Sequence, residues 1–328
     1  MRNGSGPTTS SKCARSSRGV DDAVKCLVCR GRAVIAVRRH NAGFCKDHFI
    51  AHIHRQVERT ISDYGMFGPK ERLLLGVSGG KDSLALWEIL TVLGHKVDGV
   101  YLHLGIGDYS SDGLRFSQEF AARRELSLEV VDLEGEHGFS VPQASEVTAR
   151  VACSACGLSK RYLLNEVAFR RGYDVLVVGH NLDDEAAVLW GNVLRWQVDY
   201  LSRQRPVLPA SEEGLLRKVK PLVRVAERET AAYAVLRGID YEIEECPMAS
   251  GNTINRNKEW LNLMEERSPG LKAQFLFGFL DRGAAYFPPN PPDLAMCGEC
   301  GQPTPGELCA FCRLKKATVV RIADRRSL

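Results

Sequence analysis

The segment Ser78-Gly79-Gly80-Lys81-Asp82-Ser83 holds small, flexible and charged residues in a spacing that suits phosphate chemistry. An apolar run, Leu73 to Val77, leads into it, and an amphipathic run follows. The pattern predicts strand, tight turn and helix. Glycines let the turn backbone approach a ligand, and the helix start offers unpaired N–H groups to an anion. The amides of Ser78, Gly79 and Gly80 can cradle a pyrophosphate, and the Ser83 hydroxyl can add a bond. Asp82 is unusual beside phosphates and becomes tolerable with Mg²⁺ between them. The competing reading is a glycine turn in which Asp82 serves the helix dipole. Two better-known loops do not fit. A Walker loop requires Ser or Thr after the lysine, where Asp82 stands, and Gly76, Gly79 and Gly80 do not make a dinucleotide fingerprint.

Cysteine is the second chemistry-bearing residue type. Ten of the eleven cysteines fall into three groups. The first group is Cys26 and Cys29, then Cys45 and His48; the last is Cys297 and Cys300, then Cys309 and Cys312. Each offers four soft ligands in two close pairs, the requirement of a structural tetrahedral zinc site. His52, one helical turn past His48, competes as a ligand; His48 is preferred because its spacing mirrors the Cys26–Cys29 pair. The middle group is Cys153, Cys156 and the distant Cys246. Three thiolates can hold a [4Fe–4S] cluster and leave one iron open. They can equally be packed free thiols, a zinc site with a further ligand, or a redox pair with a bystander. Cys13 has no assigned role.

The elements that must position these residues alternate between strand and helix. After a helix from Lys81 to Leu93, stopped by Gly94, strands are expected at "VDGVYLHLGIG", "SLEVVDL", "DVLVVGH" and "LRKVKPLV". Helices are expected at "SDGLRFSQEFAARREL", "SKRYLLNEVAFRRG", "NLDDEAAVLWGNVLRW" and "AERETAAYAVLRG", with one more from Asn257 to Leu280. This is the α/β class with a doubly wound parallel sheet. Ligands of such sheets sit at the carboxyl ends of strands, which places Leu102 and His103 near a nucleotide base. Asp183 and Asp184 start a helix, where capping is the plain alternative to catalysis.

The expected organisation is a disordered tail (1–22), a zinc module (23–55), the main domain (56–288), a second zinc module (289–315) and a basic tail (316–328). The net charge of +4 announces no nucleic-acid binder, but both flanks are basic. Residues 23–60 carry 8 Lys or Arg against 2 acids, and residues 313–328 carry 6 against 1. Such flanks suit RNA backbone contacts, or are simply solvated surfaces. No apolar run reaches membrane-spanning length, and the first residues lack the apolar core of a secretory signal. The expected location is cytoplasmic, with no membrane partner, which favours metal ligation over disulfides.

The joint occurrence of S-G-G-K-D-S (78–83), C-S-A-C-G (153–157), G-H-N-L-D-D (179–184), Cys246 and a paired-ligand module at each end resembles the PP-loop enzymes that thiolate tRNA. The resemblance covers about Ala23 to Leu314 and is strongest to the branch acting on a T-loop uridine, position 54. It implies a PP-loop ATP pyrophosphatase fold (an adenine nucleotide α-hydrolase-like sheet) flanked by two zinc modules. It implies an ATP pocket at Gly76, Val77, Ser78, Gly79, Gly80, Lys81, Ser83 and Gly179, and catalytic roles for Asp82, Lys160 and Asp184. The implied cofactors are ATP, Mg²⁺, a [4Fe–4S] cluster on Cys153, Cys156 and Cys246, and two Zn²⁺. The implied activity is that of an AMP- and pyrophosphate-forming tRNA sulfurtransferase. AMP is moved onto uridine O2 and sulfur then displaces it, the open iron serving as sulfur carrier. The implied partners are tRNA and a ubiquitin-like sulfur carrier ending in a thiocarboxylate, or sulfide, with a homodimer as one arrangement. Thiolation of a wobble uridine or of cytidine is an alternative. Others are a non-thiolating PP-loop ligase, which has no use for the three cysteines, and a zinc-bearing RNA adaptor, against which the intact loop argues.

Overall fold

The computed structural model describes residues 24–249, 251–289 and 293–326. The expected tail at 1–22, with Cys13, lies outside them. A short hairpin, β1 (Ile35–Val37) and β2 (Ala42–Phe44), precedes helix α1 (Lys46–Asp63). The alternating region follows: β3 (Leu73–Val77), α2 (Lys81–Val92), β4 (Val97–His103), α3 (Gly107–Arg123), β5 (Leu128–Asp132), α4 (Leu133–His137), α5 (Val141–Thr148), α6 (Ala152–Arg170), β6 (Val175–Val178) and α7 (Leu182–Leu194). Then come α8 (Val198–Leu201), β7 (Val207–Leu208), β8 (Arg217–Val219), α9 (Glu227–Arg237), α10 (Thr253–Arg267) and α11 (Leu271–Asp281). A second hairpin, β9 (Ala295–Met296) and β10 (Pro303–Thr304), leads into α12 (Ala310–Arg326).

Six strands form the main sheet in the order β5-β4-β3-β6-β8-β7. All neighbours are parallel except the edge pair β7/β8. From β3 the chain builds outward to β5, then returns to place β6 on the other side of β3. The carboxyl ends of β3 and β6 therefore flank the switch point of the sheet, where open α/β sheets form a ligand crevice. The loops leaving them are Ser78–Gly80 and Gly179–Asn181.

Both faces of the sheet are covered, as the nearly unbroken apolar runs in β3 and β6 require. Leu73, Leu75 and Val77 alternate with Leu74, so the two sets join different cores. One core includes Phe49, Val57, Leu86, Trp87 and Tyr233 from α1, α2 and α9. The other includes Leu74, Phe139, Leu163 and Val167, together with Cys297, Cys309, Phe311 and Cys312 of the C-terminal module.

Three expectations change at element boundaries. The single helix expected over 257–280 is two, α10 and α11, because Pro269 cannot continue the hydrogen-bond ladder and Gly270 turns at φ +96°. The helix expected from Ser159 begins at Ala152, so Cys153 and Cys156 lie on the first turns of α6. Residues 316–326, set apart as a basic tail, continue α12. Its Arg321 donates to the Val147 carbonyl at 2.7 Å, and Arg325 pairs with Glu146.

The C-terminal module is packed into the fold. The Phe311 ring is fully buried and stacks on Tyr162 of α6, with centroids 3.8 Å apart and planes 5° from parallel. His137 meets Phe311 edge-on at 5.0 Å. Replacing Phe311 with Ala removes this plug and is expected to cost about 3–5 kcal/mol of stability. Denaturant unfolding followed by intrinsic fluorescence should show it; a loss under about 1 kcal/mol would mean that α12 does not depend on the stack.

Candidate active site

The phosphate loop is built by close backbone approach. Gly79 turns at φ +79°, and a Cβ there would lie 2.4 Å from the Gly113 carbonyl oxygen. Only glycine fits such a position. The Ser83 hydroxyl accepts from the Ser78 amide at 3.1 Å and donates to the Gly80 carbonyl at 3.0 Å, which closes the loop over the start of α2. Gly179, at the end of β6, faces the same turn. A Cβ at Gly179 would lie 3.2 Å from both the Cα and the N of Ser83.

Charged side chains from four helices close a ring beside this loop. Lys81 Nζ contacts Asp82 Oδ2 at 3.1 Å and Glu227 Oε1 at 2.8 Å. Lys258 Nζ contacts Glu227 Oε2 at 3.0 Å and Asp184 Oδ1 at 2.6 Å. Asp184 Oδ2 accepts from the Asn181 amide at 3.0 Å, and Asn181 Nδ2 donates to Asp82 Oδ1 at 3.2 Å. Thr230 Oγ1 also donates to Asp82 Oδ1. Three carboxylates and two ammonium groups leave one negative charge in excess.

Burial pushes the Asp82 carboxyl above its usual range, and Asp184 adds to this, while Lys81 and the Thr230 hydroxyl pull the other way. Burial also opposes ionisation of Glu227, yet Lys258 and Lys81 hold its carboxyl down to about 2. Burial works against the charge on Lys258 as well, but Asp184 and Glu227 keep the ammonium firmly protonated.

The helix start at Asn181 separates the two aspartates considered for capping. The cap itself is Asn181, whose side chain accepts from the Asp184 amide at 3.0 Å. Asp184 reciprocates and still offers its second oxygen to Lys258. Asp183 is buried and structural: it accepts from the Glu227 amide at 2.8 Å and pairs with buried Lys272. Lys258, Glu227, Thr230 and Asn181 were not singled out from sequence. Asn181 sat beside the D-D pair as a legible cap; Glu227, Thr230 and Lys258 lie on helices whose motifs look like ordinary amphipathic surface.

Leu102 and His103 end β4 as expected. Leu102 is buried, and His103 Nδ1 lies 3.7 Å from Asp132 on the neighbouring strand. Lys160 is exposed on α6, outside the ring, one turn after Cys156.

The first and last cysteine groups converge. In each, all four ligand atoms lie within 4.8 Å of one another. Zn–S bonds of about 2.3 Å set tetrahedral ligand sulfurs about 3.8 Å apart. Cys29 and Cys45 are 3.8 Å apart, and Cys300 and Cys309 are 3.7 Å apart. Against the opposing effect of burial, backbone N–H groups draw the Cys26 and Cys297 thiols down to about 6, toward the thiolate a metal needs. Both donor sets fit zinc. His48 Nδ1 lies 3.1 Å from Cys45 Sγ, whereas the His52 ring stacks on Phe44 at 4.8 Å, away from the cysteines.

Cys153, Cys156 and Cys246 share a neighbourhood, but their ligand atoms do not all lie within 4.8 Å of one another as those of the two terminal groups do. Cys156 and Cys246 border the second core, and Cys153 Sγ reaches the carbonyl of Met248, which borders it too, at 3.7 Å. Burial raises the Cys153 thiol, Cys156 and Cys246 raise it further, and Lys160 lowers it. Three thiols without a fourth protein ligand are the donor set of a cluster with one open iron. The segment bearing Cys246 is tied to the phosphate loop: the Glu242 amide donates to the Gly79 carbonyl at 2.9 Å.

Residues 25–50 match the profile of the 2-thiouridine synthetase TtuA N-terminal LIM domain, and residues 50–263 match the PP-loop domain. The tRNA-5-methyluridine(54) 2-sulfurtransferase of Thermus thermophilus is 48% identical, over 92% of this chain and 94% of its own.

The chain belongs to the PP-loop family of tRNA thiolation enzymes.

The enzyme of the same description from Thermotoga maritima is 40% identical, over 89% of this chain and 96% of its own. Among solved structures, the U34-tRNA thiolase NcsA from Methanococcus maripaludis with its [4Fe–4S] cluster superposes with a TM-score of 0.78. It is 23% identical and covers 89% of this chain and 96% of its own, so that likeness speaks to fold. The PP-loop family assignment agrees with the sheet order and with the loops at its switch point. No helix among the described residues is long and apolar enough to cross a membrane.

Gly179→Ala tests the close approach of β6 to the loop. Backbone atoms of Asp82 and Ser83 leave the new methyl no flexible neighbour to displace, so ATP affinity is expected to fall at least tenfold with the fold retained. Calorimetric titration with a non-hydrolysable ATP analogue measures it; unchanged affinity would show that the loop tolerates a shift.

Proposed function

We propose that this chain is an ATP-dependent tRNA 2-sulfurtransferase acting in the cytoplasm on the T-loop uridine at position 54. The observation that carries this is the hydrogen bond from Glu242 to Gly79, four residues before Cys246. It ties an ATP-splitting loop to a group of three thiols. The two relatives of highest identity above are both named for position 54.

Oxygen is a poor leaving group from C2 of uridine. Uridine O2 therefore attacks the α-phosphorus of ATP, the bond between the α-phosphorus and the bridging oxygen breaks, and pyrophosphate departs into the amides of Ser78, Gly79 and Gly80. Lys81 and the Ser83 hydroxyl stabilise the departing charge. Asp82, with the excess negative charge of its ring, suits Mg²⁺ brought with the nucleotide. Lys160, exposed near the thiols, neutralises charge on the α-phosphate. Asp184, fixed by Asn181 and Lys258, orients the base. A sulfur nucleophile then adds at C2, the C2–O bond breaks and AMP leaves with the original oxygen. No net oxidation occurs. Cys153, Cys156 and Cys246 would hold a [4Fe–4S] cluster, which when bound leaves one iron without a protein ligand and supplies a sulfur-binding position. The sulfur source we assign is sulfide, or the thiocarboxylate of a ubiquitin-like carrier, whose acyl C–S bond water then cleaves, leaving the sulfur on C2 and the carrier as its carboxylate. The two four-ligand groups hold Zn²⁺ as scaffolding.

Asp82→Ala is expected to abolish tRNA-dependent pyrophosphate release while zinc and iron contents stay at wild-type values. Full release from this variant would remove Asp82 from the chemistry. Cys246→Ser should separate the two halves of the reaction. Iron content and the visible absorption of anaerobically purified protein are expected to fall, ATP binding to persist, and thiolated nucleoside to vanish from tRNA digests analysed by mass spectrometry. Wild-type thiolation by an iron-free variant would return Cys246 to an ordinary packed thiol.

A further inference from the structure

One cleft further along α7 has no part in the site above. It has a volume of about 340 Å³ and lies between the C-terminal half of α7 and the N-terminal half of α10. Its walls include Trp190, Leu194, Arg195, Arg256, Asn257 and Trp260. The floor is rigid. Asn257 Nδ2 donates to the Ala187 carbonyl at 3.1 Å, and the Trp190 ring is held edge-on by Phe275 at 5.8 Å. The rim is not packed: Trp260 is 58% exposed and Leu194 61%. A half-exposed indole over a rigid floor presents a large aromatic face that is free to stack.

The charges of the cleft are of one sign. Neither the Arg195 nor the Arg256 side chain has a hydrogen-bond or ion-pair partner among the described residues, and no acidic residue lines the cleft. Asp199 and Glu259 lie close in sequence but outside its walls. The chain just beyond is also strained. Trp196 sits at φ +50°, a left-handed conformation that glycine usually takes after a helix, and its side chain is 72% exposed. A bulky residue held in that conformation without packing in return points to a use outside the folding of the domain.

Aromatic faces flanked by unpaired guanidinium groups match unpaired nucleotides, whose bases stack and whose phosphates take the cations. We propose that this cleft receives an unpaired base of the tRNA substrate, close in sequence to the reacting uridine. The base stacks on Trp260, and Arg195 and Arg256 hold its phosphates. This rests on the reading of tRNA as substrate. The distance is suitable. Lys258 of the ring lies two residues from both Arg256 and Trp260, and Gly191 lies seven residues after Asp184 on α7, about 10 Å along the helix. The reacting base must leave its stack to reach Asp184, and a separate seat for a neighbour keeps the opened strand in place.

The test uses the full-length, anaerobically prepared protein and an unmodified tRNA transcript. Trp260→Ala and the pair Arg195→Gln/Arg256→Gln are compared with wild type for tRNA affinity, ATP-analogue affinity and mass by light scattering. Trp260→Ala is expected to weaken tRNA binding about tenfold, within the range for loss of one stacked base. Trp260→Phe should recover most of it. The double arginine variant should lower the salt dependence of binding by about 1 to 2 in slope, the effect of two fewer phosphate contacts. Unchanged tRNA affinity in both variants overturns the proposal. So does a fall in mass on Trp260→Ala, which would make the cleft a contact between copies of the chain. If the wild-type protein itself neither binds nor thiolates tRNA, the functional reading fails instead; thiolation by wild type with indifferent variants sinks only the cleft.

Discussion

The salt-bridged ring of Asp82, Lys81, Glu227, Lys258, Asp184 and Asn181 is the constraint on which the site depends. Its members come from α2, α9, α10 and the start of α7, which meet only because β3 and β6 are neighbours in the sheet. Each carboxylate is partly buried, and an unpaired charge there would be costly. The ring therefore fixes the relative positions of four helices, and with them the mouth of the crevice. Its one excess negative charge makes it a better host for a cation that arrives with phosphates than for a bare anion.

Support for this ring comes from a second layer of ion pairs that carry no chemistry. Asp183 with Lys272 fixes the first turn of α7 to α11, and Glu185 with Lys220 fixes the next residue but one to the end of β8. Burial opposes the Glu185 charge, but Lys220 and His180 hold its carboxyl down to about 2. That pairing is kept at neutral pH and lost only as pH falls from the ordinary carboxylate range toward 2. The acid run Asp183-Asp184-Glu185 thus divides its work by direction around the helix. The middle residue faces the crevice, and its neighbours on either side anchor the helix.

Much of this was legible in the chain. The loop at 78–83 and the two terminal ligand sets are local in sequence, and short spacing fixes their geometry. The alternation of strands and helices is legible because buried parallel strands carry nearly continuous apolar runs. The missing parts share a cause. Lys258 and Glu227 are charged residues on amphipathic helices, where most charges merely face water, and only the tertiary fold shows which two point inward. The helix at 141–148 and the antiparallel edge at 207–208 are short, and packing rather than local pattern defines them. The Cys246 assignment came from resemblance. The structure adds a bond from Glu242 to Gly79, which ties the segment bearing Cys246 to the phosphate loop.

The stack of Phe311 on Tyr162 carries a consequence for how the molecule is made. Synthesis runs from the amino end, so α6 and its cysteines leave the ribosome long before Phe311 does. Until then Tyr162 lacks its cover, and the face of α6 that joins the second core is open to water. The core that Cys156 borders is complete only after α12 has been released and docked. Closure of the second core is thereby deferred until α12 has docked, and a nascent or truncated polypeptide leaves the thiol of Cys156 without part of its walls.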